Sequence, residues 1–379
     1  MKNRLYSLLL WVISLSACEK PVTYTIKGEE GLNILFQDLE IKAFPYKIDK
    51  IVPLETTGNN FLSDNIKVKF TPDFIFVFDE EIRDAVHQFD HIGQYLGEIV
   101  STGEGPGQVN RIYDFTVSEK GVELLVGKGS YSEVVVISIA DKKIIETLTL
   151  DVIGFSFEKS NGYYYVYSSY NYPLAEFRVS KIDSEGNTIE GFLKNDYSGK
   201  MVPMIERNLY GMEEKLFLVE SFNNRIYELT DEQLTCKYIL DFGSYNFPAD
   251  LLERDMMVAF EQLNADGFFS IRHHFENKGI SLTGVQFQKE KTSQSYHLLM
   301  HERLNNKLEE GWGDIFKHPV AITDSGKIVF SAHPLNLIRN AENFEDNKVV
   351  ARSLNELENQ DNPILIYSDL QFSTKTKTQ

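Results

Sequence analysis

The sequence has little of what defines several common protein classes. It contains two cysteines in 379 residues, too few for a disulfide framework. It has 38 basic residues against 56 acidic ones, for a net charge of −18. This negative charge opposes nucleic-acid phosphates, so we expect no nucleic-acid partner. The apolar run from Leu5 to Leu15 is too short to span a bilayer as a stable anchor.

Sequence motifs for catalysis are also scarce. There is no HExxH or GxSxG motif, and the GEGPG loop at 103–107 lacks the Lys-Ser/Thr pair of a phosphate-binding loop. His297 and His301 have helical spacing for a metal, but on a strand they would lie roughly 13 Å apart. We therefore expect no metal site and no cofactor, and the sequence favours a protein that is not an enzyme.

The N-terminus carries a recognisable export signal. Lys2 and Arg4 precede the apolar run, which ends in Ser16-Ala17-Cys18. This pattern resembles a bacterial lipoprotein signal, in which the cysteine is lipidated and becomes the mature N-terminus. The alternative is an ordinary secretory signal. We predict a signal peptide at 1–17, lipid attachment at Cys18 and a tether over 18–38.

A hairpin pattern repeats through the middle of the chain. The sequence FDHIGQYLGEI at 89–99 resembles IDSEGNTIEGF at 182–192, with weaker copies at 139–148 and 229–240. The turn residues of these copies are Asp90, Asp141, Asp183 and Asp231, so the steps are 51, 42 and 48 residues. A period of roughly 40–50 residues built from antiparallel strands is typical of β-propeller blades. The 19 tyrosines and 26 phenylalanines also favour strands.

The same period predicts an all-β, six-bladed propeller over residues 39–372, followed by a disordered tail at 373–379. The last unit has three strands of its own and ends in the strand at 363–367. We expect the strand Ile48–Thr56 to supply its fourth strand and close the ring. The fifth unit is predicted over Phe268–Leu299, with its outer turn near Lys289–Ser293. Helical insertions are expected at Pro248–Leu263 and at Ala351–Glu358.

Three segments resemble a known family. IVPLETT at 51–57, GEGPGQ at 103–108 and DNPILIY at 361–367 are similar to the six-bladed β-propeller lipoproteins of Bacteroidota. The resemblance implies a propeller anchored to an envelope membrane, and it implies no particular reaction. NHL-type propellers are similar in the order of their strands and serve mainly as binding platforms.

The strands that should line the central channel carry cations near their starts. These residues are Lys67 or Lys69, Arg111, Arg207, Arg272 and Lys317. His273 and His274 point to opposite faces of a strand, so at most one of them, assigned as His273, lines a site. Together these side chains predict a positive funnel for an anionic ligand such as a carboxylate or an acidic sugar. The alternative is that each cation is paired with a local acid.

The predicted function is therefore a monomeric, membrane-anchored envelope lipoprotein that binds a protein, peptide or glycan. The alternative is a metal-dependent hydrolase or lyase that holds a divalent ion such as calcium in the channel.

Overall fold

The computed structural model describes residues 23–24, 31–41, 45–105, 107–171, 174–195, 201–202, 207–212, 215–231, 233–248, 250, 254–355, 357–358 and 361–371. The predicted signal peptide, Cys18 and the tail at 373–379 lie outside these residues. Among them, no helix is both long and apolar enough to cross a membrane.

The first three blades are consecutive antiparallel sheets. Blade 1 comprises Ile66–Phe70, Ile75–Asp79, Ala85–Phe89 and Tyr95–Ser101. Blade 2 comprises Ile112–Ser118, Gly121–Gly127, Ser132–Ile137 and Ile144–Leu150. Blade 3 comprises Ser156–Ser160, Tyr163–Tyr167, Phe177–Ile182 and Thr188–Lys194. The first strand of each blade is the innermost, because the first strands of neighbouring blades contact one another around the ring.

The remaining three blades complete a six-bladed β-propeller, as the sequence predicts. Blade 4 comprises Leu209–Met212, Lys215–Val219, Arg225–Leu229 and Leu234–Asp241. Blade 5 comprises Phe268–Asn277, Ile280–Lys289, Thr292–Leu299 and Leu304–Leu308. Blade 6 comprises His318–Ile322, Ile328–Ala332, Ile364–Leu370 and Tyr46–Pro53.

The ring closes as expected from the sequence. Tyr46–Pro53 pairs antiparallel with Ile364–Leu370, from Tyr46 opposite Leu370 to Pro53 opposite Ile364. The strand begins two residues earlier than predicted because Tyr46 and Ile48 are both buried and extend the alternating pattern. Because of this pairing, the third strand of blade 6 has no unpaired edge.

The chain before this strand follows the outside of three blades. Thr23–Tyr24, Leu32–Leu35 and Glu40–Ile41 each pair in parallel with the fourth strand of blades 3, 4 and 5 respectively. Leu32–Leu35 was assigned to the tether from its sequence, yet Ile34 is buried in the core. The ordered structure therefore includes part of the predicted tether, because these short strands satisfy the backbone groups of the blade edges.

Aspartate-centred turns define the outer hairpins. Asp90 Oδ1 accepts hydrogen bonds from the backbone N–H groups of Ile92 and Gln94, at 3.0 and 2.8 Å. Asp183 accepts from Glu185 and Asn187 in the same way, at 2.9 Å each. These bonds explain why the repeat is visible in the sequence, since an aspartate side chain stabilises such a turn locally.

The turn predicted for the fifth blade is wrong. Lys289–Ser293 joins the second and third strands, whereas the outer hairpin turns at residues 300–303. The fourth strand, Leu304–Leu308, was missed because its sequence LNNKL has little β propensity.

The helical insertions differ in their boundaries from the prediction. The main one is Met256–Asp266, whose N-cap Asp255 accepts hydrogen bonds from the N–H groups of Met257 and Val258. The helix thus begins eight residues after Pro248, where a capping side chain is available. The predicted helix at Ala351–Glu358 is Lys348–Ser353, capped by Asn347. The other short elements are the helices Trp312–Ile315 and Pro334–Arg339, the 3₁₀ turns Phe36–Asp38, Gly243–Tyr245 and Ala341–Phe344, and the paired strands Tyr170–Asn171 and Met201–Val202.

Hydrophobic side chains fill the spaces between blades. Phe78 of blade 1 and Phe115 of blade 2 are fully buried, and their rings meet edge to face at 5.9 Å. The buried thiol of Cys236 belongs to a similar layer, so this cysteine is a core residue. Blade 5 is taller than its neighbours, because its first strand has ten residues where those of blades 4 and 6 have four and five.

Candidate functional site

A cavity of about 380 Å³ lies at the end of the channel where the inner strands begin. Its walls come from blades 1, 4, 5 and 6. Its volume is within the range of ligand-binding pockets in general. The long strands of blade 5 form one tall wall, which contributes Ile271, Arg272, His273, Gly284, Val285, Gln286, Ser295, Tyr296 and His297.

Four of the six residues proposed from the sequence as ligand-binding line this cavity. They are Arg207, Arg272, His273 and Lys317. Lys67 is fully buried and pairs with acids deeper in the channel. Arg111 is exposed and does not line the cavity. The inner strands therefore bring most, but not all, of these side chains together.

The lining carries more positive than negative charge. Arg83, Arg207, Arg272 and Lys317 contribute four cations, against the two carboxylates of Glu80 and Glu81. Burial raises the pKa of Glu80, and the charge of Arg207 acts in the opposite direction. In a chain of net charge −18, this cavity is a local region of positive potential.

Arg207 is held in place by aromatic rings, and none of the described acids lies within ion-pair distance of it. Its guanidinium carbon lies 4.6 Å from the centre of the Tyr210 ring and 5.4 Å from that of Phe275. The Tyr210 hydroxyl is 3.0 Å from the backbone carbonyl oxygen of Arg207 and 2.9 Å from that of Arg272, and its single hydrogen is shared between these two acceptors. The buried Nε of Arg207 has no hydrogen-bond partner among the described residues. Its charge therefore remains available to a ligand.

A β-bulge determines where Arg272 lies. Ile271 pairs with Val285 and His273 pairs with Gly284, so Arg272 has no partner of its own in the neighbouring strand. Bulges of this kind redirect a side chain next to functional sites. Here the bulge places an exposed arginine at the cavity while His273 keeps its place in the sheet.

Two histidines of blade 5 face each other across a glycine. His273 pairs with Gly284, and Gly284 pairs with His297, so the three residues form one row across the sheet. The two imidazole rings lie 5.6 Å apart at an angle of 72°. A Cβ at position 284 would lie 2.0 Å from His273 Nε2, so only glycine leaves room for this ring.

The second of these histidines is anchored by a tyrosine. His297 Nδ1 is 2.7 Å from the hydroxyl of buried Tyr46. Because a buried phenol needs an acceptor for its hydrogen, this contact favours the neutral tautomer with hydrogen on Nε2. Nε2 of His297 and Nε2 of His273 have no hydrogen-bond partner among the described side chains and backbone.

The cavity histidines are neutral at physiological pH. Burial lowers the pKa of His297 to about 3. Burial, with the nearby Lys317 and Arg272, lowers the pKa of His318 to about 4. Burial and the neighbouring His297 hold the pKa of His273 well below its ordinary value. At neutral pH these rings offer hydrogen bonds rather than charge.

The other histidines considered in the sequence lie elsewhere. His274 points away from the cavity, and its Nδ1 is hydrogen-bonded to Thr283 Oγ1 at 2.8 Å. This agrees with the prediction that His273 and His274 lie on opposite faces of the strand. His301 is exposed, with Nδ1 2.7 Å from the carbonyl of Gly279. Within the described part of the chain, no three His, Cys, Asp or Glu side chains are placed to hold a metal ion.

Buried ion pairs lie farther along the channel. Lys67 Nζ is 2.7 Å from Asp114 and 3.2 Å from Glu158, and Lys69 Nζ is 2.6 Å from Glu158. Despite burial, the two lysines lower the pKa of Glu158 to about 2. Burial lowers the pKa of Lys69 to about 8, against the opposing effect of Glu158. Lys67 and Lys69 are therefore paired with nearby acids, which is the alternative to a ligand-binding role that the sequence left open.

A second, more open cavity of about 560 Å³ lies beyond these pairs. Lys69 and Glu158 contribute to its lining, with residues near the ends of inner strands such as Phe70 and Ser118. The ion pairs therefore separate the two ends of the channel.

The glycine-rich loop at 103–107 has a structural position. It follows the outer strand of blade 1 and leads to the inner strand of blade 2. Gly103 has φ +155°, and a Cβ there would lie 2.2 Å from Gln108 Oε1. That oxygen accepts a hydrogen bond from Gly105 N at 2.8 Å. The loop is thus closed on its own glutamine side chain and lies outside the cavity.

Several lining residues were not foreseen in the sequence. They include Arg83, His297, His318 and Asn208. Gly284 was a usable signal, since a glycine inside a long strand often marks close approach of another group. The residues that pair with Gly284 cannot be predicted without knowing the register of three strands.

The fold and this cavity define a closed six-bladed propeller with a polar, cation-rich pocket at one end of its channel. The chain belongs to the family described as a domain of unknown function, DUF4934, whose profile matches residues 39–368. No curated protein matches the chain.

The solved structures that are similar to it include two Bacteroides proteins. A protein of Bacteroides fragilis NCTC 9343, provisionally described as exported, is 13% identical, with 90% of this chain and 100% of that one covered and a TM-score of 0.69. A DUF4221 family member from Bacteroides vulgatus ATCC 8482 is 10% identical, with 86% and 98% covered and a TM-score of 0.51. At these identities the likeness shows the fold alone.

Proposed function

We propose that this protein is a lipid-anchored envelope protein whose propeller binds an anionic ligand in the cavity between blades 1, 4, 5 and 6. The observation that carries the proposal is the convergence of Arg83, Arg207, Arg272 and Lys317 on one pocket of an acidic protein. A fixed cluster of cations in a partly desolvated pocket favours carboxylates and other oxyanions.

The anchoring part of the proposal rests on the lipoprotein-like signal that ends at Cys18. The description of the Bacteroides fragilis neighbour as exported supports export of this chain too. Metabolic labelling with a clickable fatty acid tests lipidation. We expect label on the wild-type protein and none on Cys18→Ala, and label on both would contradict the assignment.

Two exposed arginines provide a matched test of the cavity. Arg272 lines the cavity and Arg111 does not. Arg272→Glu and Arg111→Glu change the net charge by the same amount, so they differ only in where the charge changes. We expect calorimetry with D-glucuronate and glucose 6-phosphate to show at least tenfold weaker binding for Arg272→Glu. Arg111→Glu should stay within twofold of wild type. Equal effects of both variants, or no anion binding by the wild type, would overturn the proposal.

The metal-dependent hydrolase or lyase remains the alternative class. Elemental analysis of the purified protein separates it from a binding protein. The enzyme would be favoured if each chain holds one tightly bound divalent ion and if removal of that ion abolishes ligand binding.

A further inference from the structure

Unpartnered polar atoms gather on this cavity. Four of the residues that line it each carry a buried side-chain atom with no hydrogen-bond partner among the described residues. They are Arg207 Nε, Asn208 Oδ1, His273 Nε2 and His297 Nε2. Leaving a buried donor or acceptor unpaired costs about 1–3 kcal/mol, so such a group calls for a partner.

The side chains that carry these atoms are fixed by other contacts. Asn208 is 3% exposed and its amide nitrogen donates to the carbonyl of Val219 at 2.9 Å, which leaves Oδ1 as an acceptor. His297 is 1% exposed, and Tyr46 occupies its Nδ1, which leaves Nε2–H as a donor. Stacking on Tyr210 and Phe275 fixes the guanidinium of Arg207. The cavity thus presents a cationic donor, a neutral donor and an acceptor.

We propose that this cavity is a sugar-acid site, in which Arg207 and His297 hold the carboxylate and a neighbouring hydroxyl donates to Asn208. A lone anion leaves the Asn208 acceptor unpaired, and an uncharged sugar leaves the arginine charge unpaired. A molecule with both a carboxylate and hydroxyls satisfies both requirements. This assignment rests on the proposed function, since it names the ligand class of the same cavity.

Ligand chemistry gives the first test. Calorimetry would compare D-glucuronate and D-galacturonate with acetate, D-glucose and glucose 6-phosphate. We expect a sugar acid to bind at least tenfold more tightly than acetate or glucose. If acetate binds as well as the sugar acids, the hydroxyl contact is wrong. If glucose 6-phosphate binds more tightly, the carboxylate assignment is wrong, although an anion site remains.

A pair of histidines gives the second test. His87 of blade 1 resembles His297, with Nδ1 3.2 Å from the Tyr95 hydroxyl, but it lies outside the cavity. Its buried Nε2 has no hydrogen-bond partner among the described residues and is 3.9 Å from Asp84 Oδ1. We expect His297→Asn to weaken glucuronate binding at least fivefold and His87→Asn to leave it unchanged, with both variants folded by circular dichroism. Equal binding by the two variants overturns the role of His297. If Arg272→Glu instead binds glucuronate as tightly as the wild type does, the proposal of an anion cavity is overturned as a whole.

Discussion

The imidazole rings of His273 and His297 lie 5.6 Å apart across Gly284, on the blade 5 wall of the cavity. The glycine makes this arrangement possible, because a side chain at that position would occupy the space of the His273 ring. Three strands contribute one residue each, so the geometry of the site depends on the register of the sheet.

Substitution of this glycine tests the arrangement. In Gly284→Ala the new methyl group would lie 2.0 Å from His273 Nε2, and the imidazole is the group that can move. We expect a loss of about 1 kcal/mol in the free energy of unfolding, since overpacking is costly but the ring can rotate away. Urea denaturation measures this loss. Gly58→Ala is the control, because a Cβ there has no atom within 4 Å, and an equal loss in both variants would contradict the close contact.

The pH dependence of stability tests the neutral state of His297. Its pKa is about 3 in the folded protein and 6.5 ordinarily, so the unfolded chain binds the proton more readily. Above pH 6.5 the histidine is neutral in both states, and as the pH falls toward 3 its protonation in the unfolded chain lowers the free energy of unfolding. A variant without the histidine does not lose this free energy. Between pH 8 and pH 5, we expect the free-energy difference between wild type and His297→Asn to shift by about 2 kcal/mol in favour of the variant. Urea denaturation at the two pH values measures this shift, and a constant difference would show that His297 titrates normally.

The buried acid Glu158 should show a pH dependence of the same sign, at lower pH. Its pKa is about 2 in the folded state and 4.5 ordinarily, so its stabilising effect is complete above pH 4.5 and declines below it. We expect Glu158→Gln to be strongly destabilising at pH 7, by about 3–5 kcal/mol, because Lys69 loses its carboxylate and Lys67 keeps only Asp114.

By pH 3 the difference between wild type and Glu158→Gln should shrink by about 2 kcal/mol. Guanidinium denaturation at both pH values checks this. Glu146→Gln is the control, since Glu146 pairs with Lys120 on the surface and should matter little at either pH. A difference for Glu158→Gln that stays constant down to pH 3 is not compatible with the ion-pair network.

Two N-terminal truncations separate ring closure from edge pairing. A chain that begins at residue 45 keeps Tyr46–Pro53 but loses the parallel strands on blades 3, 4 and 5. We expect it to fold cooperatively with a reduced melting temperature. A chain that begins at residue 54 also loses the fourth strand of blade 6, and we expect no cooperative transition. Thermal unfolding followed by circular dichroism tests this, and similar melting curves would show that the ring does not need its closing strand.

The architecture was predictable because its signals are local. Asp90 and Asp183 each stabilise a hairpin through short-range hydrogen bonds, and an unpaired strand at each end of the chain implied closure. Asp231 marks a turn at the same spacing, but its side chain accepts from Asn161 and Tyr165 of blade 3. Leu304–Leu308 was missed because its strand is held by pairing on both sides rather than by its own polar sequence.

The site was predictable only in part, because it depends on long-range register. Arg207 and Arg272 were expected in the channel from their place at the starts of inner strands. Arg111 occupies a similar place, yet its backbone has φ +44° and its side chain lies on the surface. His297 comes from a third strand, and only the Gly284 row brings it to the cavity.

The most direct measurement of the cavity's role is a ligand titration observed at the imidazole nitrogens. Long-range ¹H–¹⁵N spectra would be recorded on the wild-type protein as D-glucuronate is added, with His87→Asn, His273→Asn and His297→Asn used to assign the signals. We predict that the Nε2 signals of His273 and His297 shift in a saturable way while that of His87 does not move. Glucuronate binding detected by calorimetry without movement of the His273 and His297 signals would contradict the account.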